Sequence, residues 1–313
     1  MRNFIYGVDV GGTAIKIGLF TCTMQHIEKI ELDTPKEDHD TSVFNTILAG
    51  VNELNQKHHL TFNDIAGIGV AVPCPIKDGY VERCPNLAWY KIDLTANFRK
   101  YVPEEVKIKF ANDANIAALG ERSMLYEAYQ DVVMVTLGTG VGGGIILGGH
   151  MLEGASGFGG EIGHMLVFDP KEVDYDCGCG SRGCLEQIAG TKAILTHVKS
   201  MCEIYPDSIL NRDKVTVKDV FDAAKNGDKA GLATFNRVTD YLAKAFAMIA
   251  MVIEPEVFII GGGISKAGNF LLDTVKDKYQ KLARFETGKI KFALAVTGNN
   301  AGIIGAALMI KES

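Results

Sequence analysis

Short apolar runs alternate with stretches of helical periodicity along the chain. Residues 4–9 and 15–20 are apolar runs, and residues 27–32 alternate apolar with polar side chains, so three strands are predicted at the amino terminus. Apolar side chains between residues 43 and 54 recur at helical spacing, and residues 65–72 form another apolar run. Strands mixed with helices in this way are typical of an α/β protein.

The first unit ends with a predicted strand at residues 106–110 and a helix at 116–126, which gives the order β-β-β-α-β-α-β-α. A second unit starts near Asp131 in the same way as the first. Residues 8–20 (VDVGGTAIKIGLF) and 135–147 (VTLGTGVGGGIIL) both have a strand, a glycine-containing turn and a second strand. This weak internal repeat predicts two duplicated domains that face each other.

The second unit continues with an apolar helix at 243–253, a strand at 257–260, a helix from about residue 266 and a closing helix at 301–310. Residues 132–152 carry no Asp, Glu, Lys or Arg and are long enough to span a bilayer. They contain seven glycines, however, which favours two strands around a glycine turn. No membrane partner is therefore expected.

The composition of the chain argues against several classes of function. The 313 residues fit about two domains. The 32 basic and 38 acidic residues give a net charge of −6 with no basic cluster, so a nucleic-acid partner is not expected. The amino terminus lacks the features of a signal peptide. The odd count of seven cysteines argues against a secreted disulfide framework, so we expect a cytoplasmic protein.

Two glycine turns are candidate phosphate sites. In the first, Gly11, Gly12 and Thr13 follow a strand that ends at Asp9, and backbone N–H groups in such a turn can approach phosphate oxygens. Asp9 could hold Mg²⁺ through water, and Lys16 could add positive charge. The alternative is an ordinary hairpin turn.

The second turn, residues 138–144, matches G-x-G-x-x-G. A strand follows it where a dinucleotide-binding site requires a helix, so the pattern does not indicate a nicotinamide site. Two facing glycine turns can instead hold a polyphosphate between them.

Residues 112–115 (NDAN) lie where a strand ends and a helix begins. Asn112 or Asp113 could be a helix cap, which is the more common role of these residue types at such a position. A carboxylate there could also accept a proton from an attacking hydroxyl.

Three cysteines lie within one glycine-rich loop, and His164 precedes them by thirteen residues. Three thiolates and one imidazole would form a closed tetrahedral zinc site, with the ligands His164, Cys177, Cys179 and Cys184. Glu161 and Glu186 are adjacent to these ligands in sequence, so the metal would hold both carboxylates in place for recognition of sugar hydroxyls.

Seven stretches together resemble the ROK family of bacterial sugar kinases, and its glucokinases most. In order along nearly the whole chain, they are DVGGTAIK, PNLAW, NDAN, LGTGVGGG, GGEIGH, CGCGSRGCLE and IIGGGIS. The resemblance implies two actin-like domains of ribonuclease H-like, hexokinase-type fold with a cleft between them. We expect one domain at residues 1–122 plus a C-terminal helix at about 299–313, and a second, carrying the zinc loop, at 123–298.

The implied activity is ATP-dependent phosphorylation of the 6-hydroxyl of a hexose, with Mg²⁺ and a structural Zn²⁺. By position, Asp113 resembles the general base, and the other implied sugar ligands are Asn86, Asn112, Glu161, His164 and Glu186. His164 would use one ring nitrogen for zinc and the other for sugar. The implied ATP ligands are Asp9, Gly11, Gly12, Thr13, Lys16, Gly138, Thr139 and Gly140 for the phosphates and magnesium, and Gly261, Gly262 and Gly263 near adenosine.

One departure from the family's pattern leaves the identity of the sugar substrate undecided. Cys74 stands where the family usually has a glycine against the sugar, so it is expected to crowd or reshape the pocket. Glucose is the expected substrate, and N-acetylmannosamine, N-acetylglucosamine, fructose, mannose and allose are alternatives. A sugar-sensing regulator is a further alternative, although the first strand begins at about residue 4 and leaves no room for a helix-turn-helix domain. Relatives of this kind are commonly homodimers or homotetramers.

Overall fold

The computed structural model describes residues 2–35, 39–84, 87–125 and 129–313. In chain order, the first half contains β1 (Phe4–Val10), β2 (Ala14–Thr21), β3 (His26–Asp33), α1 (His39–Lys57), β4 (Ile65–Val72), β5 (Tyr80–Cys84), β6 (Trp89–Asp93), α2 (Leu94–Arg99), β7 (Lys107–Asn112) and α3 (Asp113–Leu125).

The second half contains β8 (Val132–Leu137), β9 (Val141–Leu147), β10 (His150–Met151), α4 (Glu186–Ala189), α5 (Thr191–Ile204), α6 (Val217–Lys225), α7 (Lys229–Ala250), β11 (Val257–Gly261), α8 (Asn269–Leu282), β12 (Lys291–Leu294) and α9 (Ala301–Lys311).

Two five-stranded sheets repeat one topology. The first has the strand order β3-β2-β1-β4-β7, and the second has β10-β9-β8-β11-β12. In each sheet the first three strands pair antiparallel and the remaining pairs are parallel. The prediction of two similar α/β units from the internal repeat is therefore confirmed.

Helix α9 packs closely between the first sheet and α3. A Cβ on Gly69 of β4 would lie 1.9 Å from the carbonyl oxygen of Ala306, and one on Gly305 would lie 1.9 Å from the carbonyl oxygen of Ile116. Glycine at these positions lets the backbones approach each other directly. The carboxyl terminus of the chain is thereby tied to the sheet that contains its amino terminus.

Helix α3 contacts strands of both sheets, among them β7 and β9, and extends beyond residue 122. The predicted domain boundary after residue 122 therefore falls inside this helix. The division into residues 1–122 with 299–313, and 123–298, stays a prediction.

The structure corrects the predicted elements in three places. Between β4 and β7 lie the β5–β6 hairpin and the six-residue α2 in place of one helix. The hairpin was missed because its core contact is tertiary: Trp89, 2% exposed, stacks on Phe44 of α1 with ring centroids 5.7 Å apart. The helix predicted from residue 266 begins at Asn269, after Gly268 with φ +69°. The helix predicted at 243–253 is the last part of α7, which begins at Lys229 and ends at Ala250.

Among the helices in the described part of the chain, none combines the length and the apolar character that a membrane span requires. The apolar stretch at 132–152 forms β8, β9 and β10, in agreement with its prediction as strands around a glycine turn.

Candidate active site

Many of the predicted site residues line one cleft of about 440 Å³. This volume is within the range of small-molecule sites. Residues from both halves of the chain line it: Asp9, Lys16, Asp113, Ala114, Ala117, Thr136, Leu137, Gly138, Thr139, Gly140, Val141, Gly142, Glu186, Gly262, Gly298, Asn299, Ala301 and Gly302.

Asp9 and Lys16 face each other across the β1–β2 ladder, in which they are a directly paired position. The Lys16 Nζ lies 3.4 Å from Asp9 Oδ2. Burial raises the pKa of Asp9, and the Lys16 charge opposes that shift. The cleft therefore has one acidic and one basic group side by side on the first sheet.

The first glycine turn is a tight hairpin with an open outer face. Gly11 donates its N–H to the carbonyl of Ala14 at 2.9 Å, and the Thr34 hydroxyl donates to the carbonyl of Gly11 at 2.6 Å. A Cβ on Gly12 would meet no atom within 4 Å. Gly11, Gly12 and Thr13 adjoin the Asp9–Lys16 pair, but they do not line the cleft.

The structure gives Asn112 and Asp113 different roles. Asn112 ends β7 and its Oδ1 accepts hydrogen bonds from the N–H groups of Ala114 (2.9 Å) and Asn115 (3.3 Å), so it acts as the helix cap. Asp113 also accepts from the Ala114 N–H, at 2.8 Å, but its carboxyl group lines the cleft. Burial raises the pKa of Asp113 to about 6, and the negative charges of Asp9 and Glu161 add to the shift.

The second glycine turn, between β8 and β9, lies in the other wall of the cleft. Gly262 follows β11 with φ +83°, and a Cβ there would lie 2.3 Å from the carbonyl oxygen of Leu137. Gly262 therefore packs directly behind this turn. Gly261 is buried within β11, and a Cβ on Gly263, which begins the next turn, would meet no atom within 4 Å.

The predicted metal ligands come together in one cluster. The ligand atoms of His164, Cys177, Cys179 and Cys184 all lie within 4.8 Å of one another. The Cys177 Sγ is 3.4 Å from His164 Nδ1, and the Cys179 Sγ is 3.6 Å from Cys184 Sγ. Tetrahedral ligands at zinc distances are separated by roughly 3.4–3.8 Å, so the four residues fit a zinc ion.

His164 connects this cluster to an acidic group. Its Nδ1 faces Cys177, and its Nε2 lies 3.9 Å from Glu161 Oε2. Burial raises the pKa of Glu161, and the charge of Glu186 adds to the shift. Glu186, Glu161, Asp113 and Asp9, in this order, thus form a chain of carboxyl groups in which each is close enough to influence the next.

Cys74 has a partner that the sequence did not indicate. Its side chain is 1% exposed and forms a disulfide with Cys84, the last residue of β5. The backbone carbonyl of Cys74 accepts a hydrogen bond from Asn112 Nδ2 at 3.5 Å, and the effect of Cys74 on the sugar pocket stays a prediction. The cysteine count alone gave no signal for this bond, because the pairing depends on how the hairpin folds back on β4.

Asn86 lies outside the described residues. Among the residues that the sequence analysis left unassigned, Asn299, Ala301 and Gly302 line the cleft at the start of α9. A Cβ on Gly302 would lie 2.5 Å from Asp9 Cγ, so α9 begins directly against this carboxyl group. The small residues at positions 301–302 and 305–307 were the available sequence signal for such close packing.

Comparison with known proteins identifies the family. The family model described as "ROK family" matches residues 5–313. The glucokinase of Halalkalibacterium halodurans is 36% identical over 98% of this chain and 94% of its own length, and that of Thermotoga maritima is 33% identical over 98% and 97%. The crystal structure of a ROK family glucokinase from Streptomyces griseus with glucose and AMPPNP superposes with a TM-score of 0.78, at 27% identity over 99% of this chain and 100% of that one.

The chain therefore belongs to the ROK family. Its paired sheets are the two actin-like α/β units of the sugar-kinase fold, as predicted.

Proposed function

We propose that this protein is an ATP-dependent hexose kinase that phosphorylates the 6-hydroxyl of glucose. The observation that carries the proposal is the position of Asp113. Its carboxyl group, with a pKa raised to about 6, lies in one cleft with the Asp9–Lys16 pair and the second glycine turn. The names of the relatives at 36% and 33% identity support glucose as the substrate.

In this proposal Asp113 accepts the proton of the sugar hydroxyl as its oxygen attacks the γ-phosphorus of ATP. A new O–P bond forms, the bond between the γ-phosphorus and the bridging oxygen breaks, and ADP leaves. Phosphoryl transfer depends mainly on positioning and on neutralising charge. Backbone N–H groups of the glycine turns other than those of Gly11 and Gly138, which donate within the turns, would position the phosphates, and the Lys16 ammonium group would neutralise charge.

The sugar would lie between Asp113 and the carboxyl groups of Glu161 and Glu186, with His164 Nε2 as a further contact. Glu161 supports this assignment because it lies beside His164, which is a member of the metal cluster. We include Asn86 and Asn112 as in the sequence analysis, although Asn112 Oδ1 is already engaged as the helix cap. ATP would bring Mg²⁺ to the side of Asp9, and Gly261–Gly263 would adjoin adenosine.

The cluster of His164 and three cysteines is proposed as a structural zinc site. Zinc bound there would fix the loop and orient the His164 ring, so that its free nitrogen faces Glu161 and the sugar.

A homodimer or homotetramer and a cytoplasmic location complete the proposal. Val252, which is 85% exposed, and Phe285, which is 89% exposed, lie beside one cavity at the end of α7. Large exposed apolar side chains on one surface favour a protein contact.

The direct test is ATP consumption with Mg²⁺ across glucose, mannose, fructose, allose and the N-acetylhexosamines. We expect the highest kcat/KM with glucose. Higher turnover with another hexose would support the proposed kinase activity but would show that this hexose, and not glucose, is the preferred substrate. Absence of sugar-dependent turnover in folded, zinc-loaded protein would contradict the proposed activity.

A further inference from the structure

The junction of α4 and α5 contacts the second glycine turn at several points. Thr191, the first residue of α5, donates its backbone N–H to the carbonyl of Gly138 at 3.0 Å and its hydroxyl to the same oxygen at 2.8 Å. Five positions before Thr191, at the start of α4, Glu186 Oε2 accepts the N–H of Val141 at 2.9 Å. Both ends of the turn are therefore bonded to this junction.

The contact is close because residue 190 is glycine. A Cβ on Gly190 would lie 3.2 Å from the carbonyl oxygen of Thr139 and 2.8 Å from that of Glu186. Gly190 also precedes α5 without a side-chain cap. Free N–H groups in the first turn of a helix need a partner. The Gly138 carbonyl provides that partner for Thr191.

Within the turn, Gly138 has open space on the side where a side chain would project. A Cβ on Gly138 would meet no atom within 4 Å. Glycine has wide conformational freedom, so an unsupported glycine turn would have to lose that freedom each time a ligand binds. Two hydrogen bonds to one carbonyl oxygen remove much of this freedom before binding.

The orientation of the next N–H follows from peptide geometry. In a planar trans peptide the C=O and the following N–H point in opposite directions. The Gly138 carbonyl points toward Thr191, so the Thr139 N–H points away from α5. Thr139 lines the cleft, and its N–H is thus directed toward the space in which we place the ATP phosphates.

We infer that Thr191 is a positioning residue for the nucleotide: its hydroxyl holds the Gly138 carbonyl so that the Thr139 N–H is preoriented for a phosphate oxygen. This inference rests on the proposed function, because it takes residues 138–140 to be a phosphate turn. Thr191 itself is not among the residues that line the cleft.

The test compares Thr191→Val, which keeps the side-chain shape without the hydroxyl, with Thr191→Ser, which keeps the hydroxyl. The loss of one neutral hydrogen bond predicts an increase in KM for ATP of about three- to tenfold in Thr191→Val. The KM for sugar should stay within about twofold, since the sugar ligands are unchanged. Thr191→Ser should behave like the unmodified protein, and ADP affinity measured by calorimetry should follow the same order.

Unchanged ATP parameters in Thr191→Val would overturn the inference. The inference would also be overturned if Thr191→Ser were impaired as much as Thr191→Val, or if KM for ATP and KM for sugar increased equally. Either result would indicate a general structural role. If Thr191→Val does not fold, Thr191→Ala is compared with Thr191→Ser in its place.

Gly138→Ala separates this inference from the proposed function. Its Cβ has open space in the protein and would project where the phosphates are placed, so KM for ATP should rise without loss of stability. If KM for ATP rises in Gly138→Ala and does not change in Thr191→Val, the role of Thr191 is refuted and the phosphate turn is not. No change in either variant would refute the phosphate turn as well.

Discussion

The surroundings of Asp113 determine the pKa of its carboxyl group. The carboxyl group lies at the start of α3 and accepts one backbone N–H, which by itself would lower its pKa. Burial and the charges of Asp9 and Glu161 outweigh that bond and raise the pKa to about 6. A general base works best when its pKa is near the operating pH, so the shift favours proton transfer.

The raised pKa predicts the acidic limb of the pH–rate profile. Asp113 accepts a proton only when ionised, so kcat/KM should fall as the pH decreases through about 6. A pH series from 4.5 to 8.5 measures the limb. Because kcat/KM reports the free enzyme, an acidic limb with a midpoint near pH 4 would show that the carboxyl group is not perturbed.

The raised pKa of Asp113 also lowers the stability of the folded protein at neutral pH. The folded pKa of Asp113 is raised above its ordinary value of 3.8, so ionisation in the folded protein removes stability as the pH rises from about 4 to 6. Asp113→Asn should therefore be more stable than the unmodified protein at pH 7–8, and the difference should shrink toward pH 4. Urea unfolding at both pH values measures this. Asp93→Asn, at the exposed cap of α2, is the control for the substitution of Asp by Asn at a helix start.

At this scale the sequence identified residues whose local pattern is specific, such as the three cysteines and the NDAN stretch. It did not separate Asn112 as cap from Asp113 as candidate base, because both residue types fit both roles. Thr191 was missed because its role depends on a turn 53 residues away. The Cys74–Cys84 bond was missed for a similar reason.

Among the elements, the strands β1, β2, β4, β8 and β11 were predicted from their apolar runs. The β5–β6 hairpin has only two buried positions in each strand, so its pattern was too weak. Its stability comes from tertiary contacts such as Trp89 on Phe44.

The cysteine loop between β10 and α4 has few buried side chains, so a bound metal should hold it. Cys179→Ser should remove the zinc, lower the melting temperature and weaken sugar binding through His164. Cys179 is exposed, so the substitution itself loses little packing. Elemental analysis and sugar-binding calorimetry measure both effects.

Cys22→Ser is the matched control, since Cys22 is a free cysteine outside the cluster. It should retain one zinc per chain. A Cys179→Ser protein without metal but with unchanged sugar affinity would refute the connection between the metal and the sugar site.

At the scale of the whole molecule, the repeated strand order places a β-hairpin of each sheet at one cleft: β1–β2 from the first and β8–β9 from the second. The internal sequence repeat predicted this pairing of units. It could not predict that α9 begins against Asp9, because that contact joins the two ends of the chain. The choice among hexoses was also beyond the sequence, since pocket shape decides it.

The central claim is transfer of the γ-phosphoryl group of ATP to the 6-oxygen of glucose, assisted by Asp113. The most direct measurement uses ATP labelled in the γ-phosphate, with glucose and with 6-deoxyglucose, for the unmodified protein and Asp113→Asn. We predict labelled glucose 6-phosphate from the unmodified protein, no labelled sugar from 6-deoxyglucose, and a rate about 10²- to 10⁴-fold lower for Asp113→Asn. Label on another oxygen of the sugar, or equal rates for the two proteins, would contradict the account.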